Sequence, residues 1–334
     1  MAATPDIVFR GRKAPSQGPV GNDAPAVIAV EHLHKAYGAT VAVDDVSFSV
    51  RAGEIFGILG RNGAGKTTTV ECLSGLRVPD DGRLDVLGLD PQEDRRELHE
   101  CVGVQLQQSA LPPKIRVGEA VELYASFYRR PADGDRLLGV LGLDEKRGSY
   151  FRELSGGQKQ RLSIVLALIG QPEIAILDEL TTGLDPEARR ETWSLIEGVR
   201  DSGVTIVLVT HSMEEAERLC DRVALIDHGK VIALGPPAHL GEQASTSKRV
   251  RLRASDQLPD EVLEALPEVS AVEHHGPDLV VIGSGNLVTV VVLAFDRAGL
   301  VAEDVRTETS TLEDAFLALT DAADSDATAG GHKR

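Results

Sequence analysis

The segment Glu54–Leu73, E-I-F-G-I-L-G-R-N-G-A-G-K-T-T-T-V-E-C-L, limits the folds open to this chain more than any other stretch. Ile55, Phe56, Ile58 and Leu59 read as a buried strand. Gly60, Gly63 and Gly65 break it into a tight loop, and Lys66 and Thr67 then open a helix carrying Val70, Cys72 and Leu73. This is the G-x-x-x-x-G-K-[ST] pattern in the strand–loop–helix setting it requires. Glycines let successive amides curl inward around an anion, and the helix N-terminus adds about half an elementary charge. The phosphate contacts expected are Gly60, Arg61, Asn62, Gly63, Ala64, Gly65, Lys66, Thr67 and Thr68. Lys66 reaches for the β- and γ-phosphates, and the Thr67 hydroxyl for Mg²⁺. A glycine-rich turn can also be purely structural; Lys66 and Thr67 favour phosphate.

Length and composition bound the rest. The 334 residues predict two folded units. Hydrophobic content of 42% and charged content of 26% are those of a globular protein. The net charge of −17 argues against a sequence-independent grip on nucleic acid, which needs many Lys and Arg. Cys72, Cys101 and Cys220 are too scattered for a zinc site or a disulfide framework and read as small buried hydrophobes of a reducing cytosol. No apolar run reaches the roughly 18 residues of a membrane span. The N-terminus lacks the basic-then-apolar order of a signal peptide. A cytoplasmic chain follows, one that leaves any membrane crossing to a partner.

Residues 1–25, rich in Pro, Gly and Ala, predict a disordered tail. Val27–Val30 and Val46–Val50 read as strands, with H-L-H-K-A-Y-G between them. Tyr37 sits at a loop there, as a packing aromatic or as a platform for an adenine ring. After the first helix come a turn at Pro79–Gly82, a short strand pair around Leu84–Leu87, a charged helix (Glu93–Glu100) and a strand (Cys101–Leu106). Gln107 falls at that strand's exit. Val117–Arg129 and Asp133–Gly142 read as helices of an insert. L-S-G-G-Q-K-Q-R (Leu154–Arg161) opens another helix, with Ser155 as N-cap. Ile174–Glu179 is an apolar strand ending in two acids, costly unless they hold a metal, move a proton or meet donors. Thr205–His211 is a third buried strand, ending on a histidine that taken alone reads as structural. Apolar, β-branched strands alternating with helices indicate a parallel sheet covered on both faces. The polar residues fall at the C-terminal strand ends, where open α/β sheets bind ligands.

In this order, Gly60–Thr67, Gln107, Leu154–Gln158, Ile174–Glu179, Gly183–Asp185 and His211 resemble an ABC-transporter nucleotide-binding subunit. They look like its Walker A, Q-loop, LSGGQ signature, Walker B, D-loop and H-loop. The resemblance covers roughly residues 26–245, with a helical subdomain over about 93–170. It implies an α/β P-loop ABC ATPase core, with a parallel sheet, an antiparallel β subdomain and a helical subdomain. It also implies an ATPase using ATP and Mg²⁺. Tyr37 would stack on adenine, and Thr67, Gln107 and Asp178 would hold the metal. Glu179 would act as base, with Lys66 and His211 completing the catalytic set. Ser155, Gly156, Gly157, Gln158 and Asp185 would serve the composite sites of a head-to-tail homodimer. One departure concerns Leu180, where the family carries Pro. Given φ near −65° and an unpaired amide, Leu180→Pro is expected to stabilise by about 0.4–1 kcal/mol and to raise turnover modestly; with a hydrogen-bonded amide it is expected to destabilise the fold.

Beyond a polar linker, Arg249–Arg253, Val269–Glu273 and Leu279–Ile282 read as strands, and Asp260–Leu266 as a helix. Leu287–Leu293 is β-branched enough to be strand or helix. Ser310–Glu313 resembles a capping box before a helix, Leu312–Leu319. Residues 246–320 thus predict a small C-terminal α+β domain, β-α-β-β-α-β and ferredoxin-like in outline, with a disordered tail over 321–334. His274-His275 read as a solvated turn. This unit resembles that of daunorubicin-resistance-type ABC ATPases, which implies a separate ABC-2-type permease, attachment to the inner face of the membrane through it, and export of drugs or other compounds. The competing readings are a soluble ABC ATPase acting on ribosomes or DNA, and a regulatory ATP-binding module that scarcely hydrolyses.

Overall fold

The computed structural model describes residues 24–106, 111–244, 248–254, 258–276, 278–308, 311–317 and 319–320. Gln107, Pro277, Ser310, residues 1–23 of the expected N-terminal tail and the expected tail at 321–334 lie outside them. The chain divides between Pro236 and Pro237 into two compact units.

The first unit begins with a hairpin of β1 (Ala26–Tyr37) and β2 (Thr40–Arg51). H-L-H-K-A-Y continues β1 rather than forming a loop, because Tyr37 still pairs with Thr40. Next come β3 (Ile55–Leu59) and α1 (Lys66–Leu73), then β4 (Asp81–Val86), which pairs with β1. The strand pair expected near Leu84–Leu87 is this single strand, its would-be partner reduced to one bridge between Val86 and Leu89. α2 (Arg95–Cys101) leads into β5 (Val102–Gln105). α3 (Val117–Ala125) stops short of the expected Arg129; Pro131 follows soon after and disfavours helix before it. α4 (Gly134–Val140) is capped by Asp133, whose side chain accepts from the Arg136 amide, and α5 (Gly156–Leu168) completes the helical insert. The remaining elements are β6 (Ile174–Asp178), α6 (Pro186–Asp201), β7 (Thr205–Thr210), α7 (Met213–Leu219), β8 (Arg222–Asp227) and β9 (Lys230–Gly235).

Two sheets result: an antiparallel one of order β2-β1-β4, and a six-stranded one of order β5-β6-β7-β3-β8-β9. The larger is parallel except for β9, which pairs antiparallel with β8 at the edge. Every residue of β3, β6 and β7 is buried, as expected of strands covered on both faces. One core joins the sheets, with Ile28, Val43 and Phe48 meeting Phe56, Val70 and Val207. The Phe48 and Phe56 rings stack at 5.2 Å.

The second unit contains α8 (Pro237–Ala244), β10 (Lys248–Ala254), α9 (Asp260–Glu264), β11 (Val269–His275), β12 (Asp278–Gly283), α10 (Leu287–Arg297) and β13 (Ala302–Glu308). From β10 onward it runs β-α-β-β-α-β, with antiparallel order β11-β12-β10-β13. Leu287–Leu293 is helix despite its β-branched residues. Leu287, Val291, Ala294 and Phe295 line one helical face and are buried in the unit's core, so packing overrides propensity. His274 and His275 end β11 rather than forming a turn; His274 Nε2 lies 3.0 Å from Asp260. The last helical stretch is capped by Thr311, one residue after Ser310, in reciprocal bonds with Asp314.

At the N-terminal end of the large sheet, Glu54 is fully buried. Its Oε1 accepts from the Arg51 amide at 2.7 Å and from Arg222 at 3.1 Å. Burial raises the Glu54 carboxyl above its ordinary range, against the pull of the Arg51 amide and of Arg222. Arg222→Met removes that cation and is expected to cost about 3–5 kcal/mol at neutral pH, the usual result of orphaning a buried charge. The deficit has a defined pH sign. Without Arg222 the folded-state pKa rises further above the unfolded value, so the deficit is complete above the folded pKa and shrinks as pH falls through it. Urea denaturation of both proteins at neutral and mildly acidic pH checks this.

Candidate functional site

Parallel pairing brings three strand ends side by side. Leu59 of β3 is in register with Thr210 of β7, and Asp178 of β6 with Val209. The phosphate loop, Glu179 and His211 therefore leave the sheet at neighbouring points on its C-terminal edge. The Glu179 amide donates to Val209 O at 2.9 Å. The Glu179 Oε1 lies 3.2 Å from His211 Nδ1, within hydrogen-bonding distance.

The phosphate loop is held from behind by backbone. A Cβ at Gly60 would fall 2.1 Å from Ile226 O, and one at Gly65 2.3 Å from Ala42 O, so only glycine fits at either position. The hairpin between β8 and β9 clamps the loop: the Gly229 amide donates to Ala64 O at 3.0 Å, and Gly229 O accepts from the Asp44 amide at 2.8 Å. The front is open, with Arg61, Asn62, Gly63 and Thr67 exposed and Thr68 half-buried. The N-terminus of α1 has no side-chain cap, which leaves its amides for an anion. Lys66 is buried, and its Nζ donates to Gly60 O at 2.8 Å and Arg61 O at 3.0 Å. Burial lowers the pKa of this ammonium, opposed by the charges of the Glu179 and Asp178 carboxylates.

Asp178 is 1% exposed, and its amide donates to Gln105 Oε1 at 3.1 Å. Gln105, itself buried, also donates from Nε2 to Leu106 O at 2.8 Å. Its polar place in the apolar strand V-G-V-Q-L was the sequence signal for it. With Thr67, Asp178 supplies the hard oxygen donors that suit Mg²⁺, and Asp178 lies beside an uncapped, anion-seeking loop. These residues fit that ion. Gln107, the third expected ligand, lies outside the described residues.

Other expected residues lie on different elements. Tyr37 ends β1, 41% exposed, with Arg77 5.3 Å and Lys35 5.7 Å from its ring centre. Ser155 caps α5, accepting from the Gln158 amide at 3.3 Å while Gln158 Oε1 accepts from the Ser155 amide at 3.0 Å. Gly156 and Gly157 lie alongside Leu184 and Ala188. Asp185 caps α6 through the Glu187 and Ala188 amides, the latter first among the contacts that hold its carboxyl below the usual range.

The outcome expected of Leu180→Pro turns on the backbone beside it. Glu179 adopts φ 51°, in the left-handed region, and Leu180 is fully buried. A residue before proline is driven to extended backbone, so proline at 180 conflicts with Glu179 whatever the φ at 180. A non-glycine residue in this region costs on the order of 1–3 kcal/mol and concentrates at functional sites.

The chain matches the ABC transporter family over residues 43–182. A Nod factor export ATP-binding protein I from Ralstonia nicotianae is 42% identical over 219 residues, covering 64% of this chain and 68% of the relative. Another from Neorhizobium galegae is 37% identical over 268 residues, covering 78% and 77%. The solved ATP-binding subunit of an ABC transporter superposes with a TM-score of 0.59 at 29% identity, covering 65% of this chain and 92% of that one. An ATP-binding cassette solved as a dimer bound to ADP and Pi gives 0.57 at 26% identity, covering 63% and 98%. By its site and by these likenesses, the chain belongs to the ABC transporter family, as an ATP-binding subunit.

Proposed function

We propose that this ATPase is the energy-supplying subunit of an exporter, working as a homodimer on the inner face of a membrane with a separate ABC-2-type permease. One observation carries the catalytic part: the Glu179 carboxylate lies 3.2 Å from His211 Nδ1 at the sheet edge where the phosphate loop also begins. Lys66 and the loop amides bind the phosphates, and Tyr37 stacks on the adenine. Glu179 takes the proton of the attacking water, while His211 orients that carboxylate and meets the γ-phosphate. Thr67, Gln107 and Asp178 would hold Mg²⁺, which would supply neutralising positive charge to the bound phosphates. Ser155, Gly156, Gly157, Gln158 and Asp185 complete the nucleotide site of a second copy. The relatives named for Nod factor export support the direction of transport, and the small second unit supports a daunorubicin-resistance type carrying drugs or antibiotics. No helix among the described residues is long and apolar enough to cross a membrane; the crossing is assigned to the permease.

Glu179→Gln is expected to lower turnover about 10²–10⁴-fold while leaving MgATP binding intact and accumulating an ATP-dependent dimer on size exclusion. Wild-type turnover would falsify the base assignment. Mixed Ser155→Arg and Lys66→Ala subunits retain one complete composite site per heterodimer, and ATP-driven association is expected to return on mixing; if ATP dimerises neither the wild type nor Glu179→Gln, the shared-site arrangement fails. Leu180→Pro is expected to reduce both stability and rate. It removes a buried leucine side chain, a change in the range of about 2–5 kcal/mol, and drives Glu179 from its left-handed backbone; thermal denaturation and steady-state rates report the two losses separately.

A further inference from the structure

Glu215 lies on α7, four residues beyond His211, and is fully buried. Its Oε1 accepts from the Thr181 hydroxyl at 2.8 Å and from the Trp193 indole N–H at 3.0 Å. Its amide donates to Ser212 Oγ at 3.3 Å, the cap that starts α7 directly after His211. One carboxylate thus joins three pieces: the turn that follows Glu179, helix α6 and the helix that follows His211. Its other oxygen, Oε2, has no hydrogen-bond partner among the described residues. A buried carboxylate half satisfied in this way is a poor stabiliser, and nothing assigned so far to nucleotide binding uses it.

The backbone beside it explains what it is for. Glu179 is held at φ 51°, and such conformations persist only when the surroundings over-determine them. On the upstream side the Glu179 amide is fixed to Val209 O. On the downstream side Leu180 is fully buried, and the hydroxyl two residues on, that of Thr181, is tied to Glu215. We infer that Glu215 is a positioning residue for hydrolysis: through Thr181 and Trp193 it fixes the turn that aims the Glu179 carboxylate, and it locks that turn to the helix that carries His211. Base and histidine are thereby held as one unit. The inference rests on Glu179 acting as the base.

The test compares Thr181→Val, Glu215→Ala, Glu215→Gln and Glu179→Gln in the full chain, with kcat, KM and binding of a fluorescent ATP analogue measured on each. A misaimed catalytic group costs about ten- to a hundredfold. Thr181→Val and Glu215→Ala are expected to lose that much in kcat, with KM and analogue affinity within about twofold of wild type. Glu215→Gln keeps an oxygen able to accept both donors and is expected to recover most of the rate lost in Glu215→Ala. Thr181→Val changes little in volume, so it carries the test if Glu215→Ala does not fold. Wild-type kcat in Thr181→Val overturns the inference, as does a rise in KM at constant kcat or a Glu215→Gln variant as slow as Glu215→Ala. A slow Glu179→Gln beside a wild-type Thr181→Val sinks this inference alone. A wild-type Glu179→Gln sinks the base assignment on which it stands.

Discussion

Everything at the site depends on the register of three buried parallel strands. Pairing Leu59 with Thr210, and Asp178 with Val209, sets the lengths at which β3, β7 and β6 run out. Side chains alternate between faces along a strand, so a slip of one residue would reverse every one of them. It would carry Asp178 away from the phosphate loop and separate Glu179 from His211. The strands are apolar except at their ends, so register leans on the packing of both faces and on ties such as the Gln105 bond to the Asp178 amide. The polar groups at the edge are expensive there unless each meets a donor, a cation or a phosphate.

The glycine-rich loop, the acid pair after an apolar strand, the histidine after another and the capped helix at Ser155 were all legible in the sequence. Each combines a chemical residue type with a strong local pattern. What escaped depended on residues distant in the chain. Nothing near Gly229 says that its hairpin backs the phosphate loop through Ala64 and Asp44. The left-handed backbone at Glu179 was hidden because local preference disfavours it there; the bond of its amide to Val209 O and the buried surroundings of Leu180 and Thr181 sustain it. For the same reason the sequence leaves the effect of proline at 180 open.

The second unit gives the opposite lesson. Its order of elements could be read from turns and alternation, yet Leu287–Leu293 was ambiguous because β-branched residues serve both a helix face and a strand. Burial of Leu287, Val291, Ala294 and Phe295 on one side decides it. The spacing of buried positions was present in the sequence, but its meaning required a sheet to pack against.

Lys66 braces the phosphate loop from within. Its ammonium sits on two carbonyls of the loop it belongs to, Gly60 O and Arg61 O. A polyphosphate bound there would exchange those oxygens for its own around a cation that is already desolvated, so little of the cost of burying the charge would fall on binding.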